Sequence, residues 1–233
     1  MIFRNFLYRV SKEDWIIALM LFAVTGVVRV LAPLMPALQL LPFLSYALIF
    51  FLFLRRGSWR KAGWTRKFPW IYLWLGVSAG IVTTLLSYAI FYAVSGPASS
   101  NFYVEVAHLF PDRSVTSLIT VTIMMMTLSP FTEELFFRGV MQTSLRQKFS
   151  LWPTLLAINV PWGIFHIGQF GMHVSNGIIF LNMPLIAGMV LYIAICGCIV
   201  GLLFERSGSL LPSMIQHSTG NLVMSRLAFT FLL

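Results

Sequence analysis

Glu133 and Glu134 follow a charge-free run from Ser114 to Thr132, and Arg138 stands four residues after the second of them. A charged side chain at the centre of a bilayer costs about 2.5–3.5 kcal/mol on insertion scales, and adjacent carboxylates repel one another. Such a pair therefore needs partners or a task. Residues four apart share a helix face, so Arg138 is expected to pair with Glu134, while Glu133 projects about 100° away and is left without that partner. The competing reading is an inert ion-pair node in which all three only join helices.

Three further polar residues lie in apolar surroundings. His166 closes the run Pro161-Trp-Gly-Ile-Phe-His, and His217 with Asn221 lies in Gln216-His-Ser-Thr-Gly-Asn. His217 and Asn221, four apart, face the same way on a helix. Taken singly, each could be a hydrogen-bonded packing residue. Together, a carboxylate, two histidines and an asparagine contain what peptide hydrolysis needs: a base for water, donors for an oxyanion and an acid for the leaving amine. No Ser or Cys nucleophile is placed beside a base, and neither a Gly-x-Ser-x-Gly turn nor a His-Glu-x-x-His helix occurs, which disfavours serine, cysteine and zincin chemistry. Glu133, His166 and His217 would satisfy a catalytic zinc site by ligand count, and ligand type alone does not exclude it.

The elements that position these residues are apolar helices. Of 233 residues, 58% are apolar, 15% aromatic and only 10% charged, where a soluble domain would carry roughly a quarter charged. The fold class is therefore all-α: a polytopic transmembrane bundle in a single integral membrane domain, residues 1–233. Seven spans are expected, near 15–32, 37–54, 70–94, 114–145, 151–168, 181–203 and 209–230, the fourth kinked at Pro130. Counting rise per residue from the inner span ends puts Glu133, His166 and His217 about 12–23 Å deep, which predicts a polar cavity between the fourth, fifth and seventh spans.

The net charge of +9 is concentrated in alternate loops, including 55–67, and orients the chain with its N-terminus cytoplasmic; it does not indicate nucleic acid. Trp59, Trp64, Trp70, Tyr72 and Trp74 flank that loop as an interfacial belt. Residues 95–113 read as the most polar external stretch, and His108 and His173 as loop residues. Gly76 with Gly80, and Gly197 with Gly201, have the spacing that lets helices approach closely within the monomer, and no oligomer signal is evident. Cys196 and Cys198 point apart on a helix and are not expected to form a disulfide.

At the polar residues the chain resembles the CAAX protease and bacteriocin-processing (CPBP, or Abi) family of intramembrane proteases. Glu133, Glu134 and Arg138 meet its Glu-Glu-x-x-x-Arg motif, extended by Gly139. Trp162 and His166 meet its aromatic-x-x-x-His motif, with tryptophan where phenylalanine is usual. His217 and Asn221 meet its His-x-x-x-Asn motif. The resemblance covers about residues 115–228 and implies an intramembrane endopeptidase in which Glu133 and His166 activate water, His217 and Asn221 hold the oxyanion, and Glu134 and Arg138 organise the site. Trp162 would line the substrate pocket. It also implies a glutamate-dependent, metal-free enzyme without cofactor, with Glu133, His166 and His217 as the ligands if zinc were used.

The partners implied are the lipid bilayer and a membrane-embedded or lipid-anchored peptide or protein; prenylated CAAX proteins, bacteriocin or pheromone precursors and sorting-signal tails are not separated by the sequence. A prokaryotic plasma membrane is the expected location. Two other functions compete: a non-catalytic membrane scaffold or immunity protein, and a proton-coupled transporter, the latter weakened by the lack of an inverted repeat.

Overall fold

The computed structural model describes residues 14–31, 63, 68–95, 112, 114–167, 172–175 and 178–230. The expected span 37–54, the basic loop 55–67 apart from Gly63, the stretch 96–111 with His108, and the side chain of His173 lie outside the described residues.

Six helices and a small hairpin are described. Helix α1 is Asp14–Leu31, α2 is Ile71–Ser95, and α3 is Val115–Glu134, which continues into a π-helical segment, Leu135–Gln142, and a last α turn, Thr143–Leu145. Then come α4 (Leu151–Ile164), strands β1 (Met172–Ser175) and β2 (Ile178–Leu181), α5 (Met183–Ser207) and α6 (Leu210–Thr230). Among the described residues, three helical stretches are long and apolar enough to cross a membrane: Ile71–Ala93, Val115–Leu145 and Met183–Ser207.

Against the expected seven spans, α6 falls short in hydropathy because Gln216, His217, Ser218, Thr219 and Asn221 interrupt it. Helix α4 falls short in length: its 14 residues rise about 21 Å, less than the roughly 30 Å of a hydrocarbon core. The chain between α4 and α5 forms a two-stranded antiparallel hairpin, with Met172 opposite Leu181 and Ser175 opposite Ile178, so the all-α expectation is corrected by this one element.

The caps follow from the local sequence. Ser114 takes an extended backbone at the head of α3, and its side chain accepts from the Ser117 amide at 3.0 Å. Asn182 does the same for α5, accepting from the Leu185 amide. Gly208 ends α5 with φ at 66°, a left-handed position that glycine adopts without steric cost, and α6 begins two residues later.

Glycines set the tightest helix contacts. A Cβ at Gly76 would stand 2.7 Å from the Pro212 carbonyl oxygen, and one at Gly80 would stand 2.6 Å from that of Gln216, so α2 lies backbone to backbone against α6. On α5, a Cβ at Gly197 would run into the side chain of Asn159 and one at Gly201 into that of Leu155, which seats α5 against α4. Both glycine pairs thus serve packing within the monomer. Cys196 and Cys198 on α5 are free thiols.

The change of winding after α3 has a direct consequence for the polar residues. In an uninterrupted α-helix, residues four apart drift about 40° around the axis at each step. The wider π turn counters that drift over Leu135–Gln142, all of which is buried, and the Thr143 amide and hydroxyl both donate back to the Arg138 carbonyl. Glu134, Arg138, Gln142 and Arg146 consequently form one file. The break in regular winding thus lies at Leu135, five residues beyond Pro130.

Around this file sits the main apolar cluster, Phe22, Phe136, Phe137, Val140, Met141, Leu145, Ile158 and Trp162, which joins α1, the π segment and α4.

Candidate active site

Glu134 and Arg138 are both fully buried and pair at 3.0 Å from Nε to Oε2. Arg138 Nη1 donates to Asn159 Oδ1 at 2.9 Å, and Asn159 returns its amide to the Leu155 carbonyl, so α4 fixes the guanidinium. The same guanidinium stands 5.6 Å from the centre of the Trp162 ring. From α6, His217 Nδ1 meets the other oxygen of Glu134, Oε1, at 2.9 Å. Glu134 is therefore held from three helices: its own, α4 through Arg138, and α6.

Glu133 is not the unpartnered acid expected from helical spacing. Its Oε1 accepts from Arg29 Nη2 of α1 at 2.9 Å and from the Ser129 hydroxyl at 3.2 Å; its Oε2 accepts from Trp162 Nε1 at 3.1 Å. The i,i+4 rule assigns partners along one helix and is silent about a cation 104 residues away. A carboxylate oxygen has two lone pairs, so Oε1 is filled and Oε2 keeps one position.

Trp162 is the hub. Its ring centre lies 5.8 Å from that of His166 and 5.6 Å from that of His217, edge-on to both. At 4% exposure it is a buried strut that meets both histidines and bonds Glu133.

His166, on the turn after α4, bonds the Trp162 carbonyl through Nδ1 at 2.8 Å. A carbonyl only accepts, so Nδ1 carries the proton and Nε2 the lone pair.

Asn221 and His217 both turn toward α3, but to different ends. Pro130 has no N–H, which deprives the Met126 carbonyl of its helical donor. The Ser218 hydroxyl supplies one at 2.6 Å, and Asn221 Nδ2 donates to the adjacent Met125 carbonyl at 2.7 Å. One Asn221 amide hydrogen is thus spent on holding α6 to the proline-weakened stretch of α3, and the other remains.

Toward the other end of the file, Gln142 Nε2 donates to the Gly201 carbonyl and to Glu205, and Arg146 pairs with Glu205 at 2.8 Å where both are partly exposed. Among the described residues, Arg138 Nη2 and Gln142 Oε1 are buried polar atoms without a partner.

Zinc binding by Glu133, His166 and His217 would need their donors turned to one point. Glu133 Oε1 is filled and Oε2 keeps one position, and among the described residues no group of three or more His, Cys, Asp or Glu that could hold a metal ion is found.

Comparison with known families places this geometry. Residues 115–223 match the family described as type II CAAX prenyl endopeptidase Rce1-like. Over these residues the chain is similar to that family. The match begins at the first residue of α3 and ends two residues after Asn221, so it contains Glu133, Glu134, Arg138, Trp162, His166, His217 and Asn221. No curated protein and no solved structure matches the chain. The match, together with helices long and apolar enough to cross a membrane among the described residues, supports a CAAX-type endopeptidase in a membrane setting.

Three residues that matter to this geometry were missed by sequence reasoning: Arg29, Ser129 and Asn159. Arg29 carried a visible signal, since a charge inside the first expected span is as costly as the glutamates and calls for the same question. Ser129 and Asn159 had only the weaker signal of a polar side chain in an apolar run.

Proposed function

We propose that the chain is an intramembrane endopeptidase of the glutamate type, hydrolysing a peptide bond in a membrane-embedded or lipid-anchored substrate without a metal. The observation that carries this reading is where Glu133 keeps its remaining acceptor position: on Oε2, beside the Trp162 indole, whose ring meets both His166 and His217. Glu134 is bonded instead by Arg138 and His217.

A water on that position donates one hydrogen to Glu133 Oε2 and is left with a lone pair for attack. His166 Nε2, the lone-pair nitrogen of a fixed tautomer, accepts the second hydrogen bond and orients the water. As the water oxygen bonds the scissile carbon, its proton passes to Glu133 and the carbonyl oxygen becomes an oxyanion. His217, when both of its ring nitrogens carry hydrogen, supplies Nε2–H to that oxygen, and the remaining amide hydrogen of Asn221 supplies a second donor. The carbon–nitrogen bond then breaks, and the leaving amine takes the proton from Glu133. Trp162 and Arg138 keep these groups in register.

The distribution of basic residues supports a membrane orientation with the N-terminus cytoplasmic.

The test is cleavage of a quenched farnesylated CAAX peptide by the purified chain in proteoliposomes. Glu133→Gln should lower kcat by about 10²–10⁴-fold, the range of a lost general base, with unchanged membrane expression. Treatment with 1,10-phenanthroline should leave the wild-type rate intact. Undiminished cleavage by Glu133→Gln would refute the mechanism, and inhibition reversed by added zinc would refute its metal-free form.

A further inference from the structure

Helix α1 lies outside the segment that matches the Rce1-like family, yet it reaches the centre of the site. Phe22, Thr25, Gly26 and Arg29 are spaced as one helical face, and all four are buried. Phe22 packs edge-on to Phe137 at 5.9 Å and lies 4.8 Å from Phe165, and a Cβ at Gly26 would collide with the Phe165 ring. Contacts on the π segment and on the turn carrying His166 thus set both the position and the rotation of α1. One turn beyond Gly26, that rotation delivers Arg29, 6% exposed, to Glu133. Depth agrees: Arg29 is 15 residues along α1 and Glu133 is 12 residues from the end of the helical stretch at Leu145, about 22 Å and 18 Å respectively.

We propose that Arg29 is a positioning residue for the hydrolysis: its guanidinium fills Glu133 Oε1 and so turns Oε2, with its remaining lone pair, toward the reacting water. The inference rests on the glutamate mechanism proposed above. Ser129 alone holds Oε1 weakly, being a neutral donor at 3.2 Å, and Trp162 bonds only Oε2. Without the cation, the Glu133 carboxylate is buried with no charged donor on Oε1 and is free to exchange its two oxygens by rotation. The chemistry of the segment similar to the Rce1-like family would therefore depend on a residue that lies outside the match.

The test compares Arg29→Gln, Arg29→Lys and Phe22→Ala with wild type and Glu133→Gln, on the quenched farnesylated CAAX peptide in proteoliposomes. Folded fraction is measured for each by detergent unfolding. Phe22→Ala loosens the same helix face without touching the charge, and separates docking from positioning. Arg29→Gln is expected to lower kcat about 100-fold or more with KM within about threefold, and Arg29→Lys to recover at least a tenth of the wild-type rate. Phe22→Ala should lose stability and, because it only loosens the docking that delivers Arg29, lower kcat per folded molecule by much less than Arg29→Gln does. The proposal is overturned if Arg29→Gln keeps wild-type kcat while Glu133→Gln is inactive, or if kcat in the three α1 variants simply follows their folded fraction. If Glu133→Gln cleaves normally, or wild type leaves the peptide intact, the hydrolytic reading fails and this inference fails with it.

Discussion

Replacing Arg138 with methionine strands a charge, and the cost can be worked from its surroundings. Glu134 and Arg138 have no solvent exposure, and Glu134 would keep only His217 as a partner. Removing one member of a buried pair costs about 3–5 kcal/mol, or roughly two to three and a half decades in the unfolding equilibrium. Adding Glu134→Gln removes the stranded charge, while the new amide oxygen still accepts from His217 Nδ1. What remains is Asn159 Oδ1 without its donor, worth about 1–3 kcal/mol. The double variant should therefore be more stable than Arg138→Met alone, with the two single effects failing to add by at least about 2 kcal/mol. Unfolding in mixed micelles titrated with a denaturing detergent measures this, and Trp162, beside the guanidinium, reports it by fluorescence. Additive single effects would refute the claim that the two side chains form one charge-compensated unit.

Two further outcomes follow from the helix contacts. Gly80→Val places carbon against the Gln216 carbonyl oxygen, and should cost about 1–3 kcal/mol by overpacking and displace His217, the next residue; a variant with wild-type stability and activity would show that α2 does not set the position of α6. At the exposed head of α3, hydrogen bonds from the Ser114 hydroxyl and amide hold the Asp112 carboxyl below its ordinary value. A depressed carboxyl stabilises the fold above its unfolded value of about 3.9 and loses that contribution as pH falls through the folded value. Hydrogen exchange of amides 115–118 should accordingly be slower in wild type than in Asp112→Asn at pH 7, with the difference vanishing in acid; a difference independent of pH would contradict the assignment.

The bundle was legible because composition and length suffice to find an apolar helix, and α2, α3 with its continuation, and α5 match expected spans within a few residues. Helix α4 ended earlier than its apolar run suggested, since Phe165, His166 and Ile167 form a turn and a hairpin follows. Apolar residues in a membrane do not announce where a helix stops, because a hairpin beside lipid is as apolar as a helix; Ile178, Ile179, Phe180 and Leu181 are all exposed.

The sequence by itself determined the polar residues and the Glu134–Arg138 pair, because a separation of four residues on a helix is nearly a statement of distance. Tertiary structure alone decided that Arg29 meets Glu133, that Trp162 lies edge-on to both histidines, and that Asn221 spends an amide hydrogen on Met125. Those outcomes depend on how each helix is rotated about its axis. In a soluble protein the apolar stripe reveals that rotation, but here the lipid-facing and protein-facing sides are equally apolar. Glycine contacts, a proline-freed carbonyl and the aromatic cluster around Phe22 set it instead.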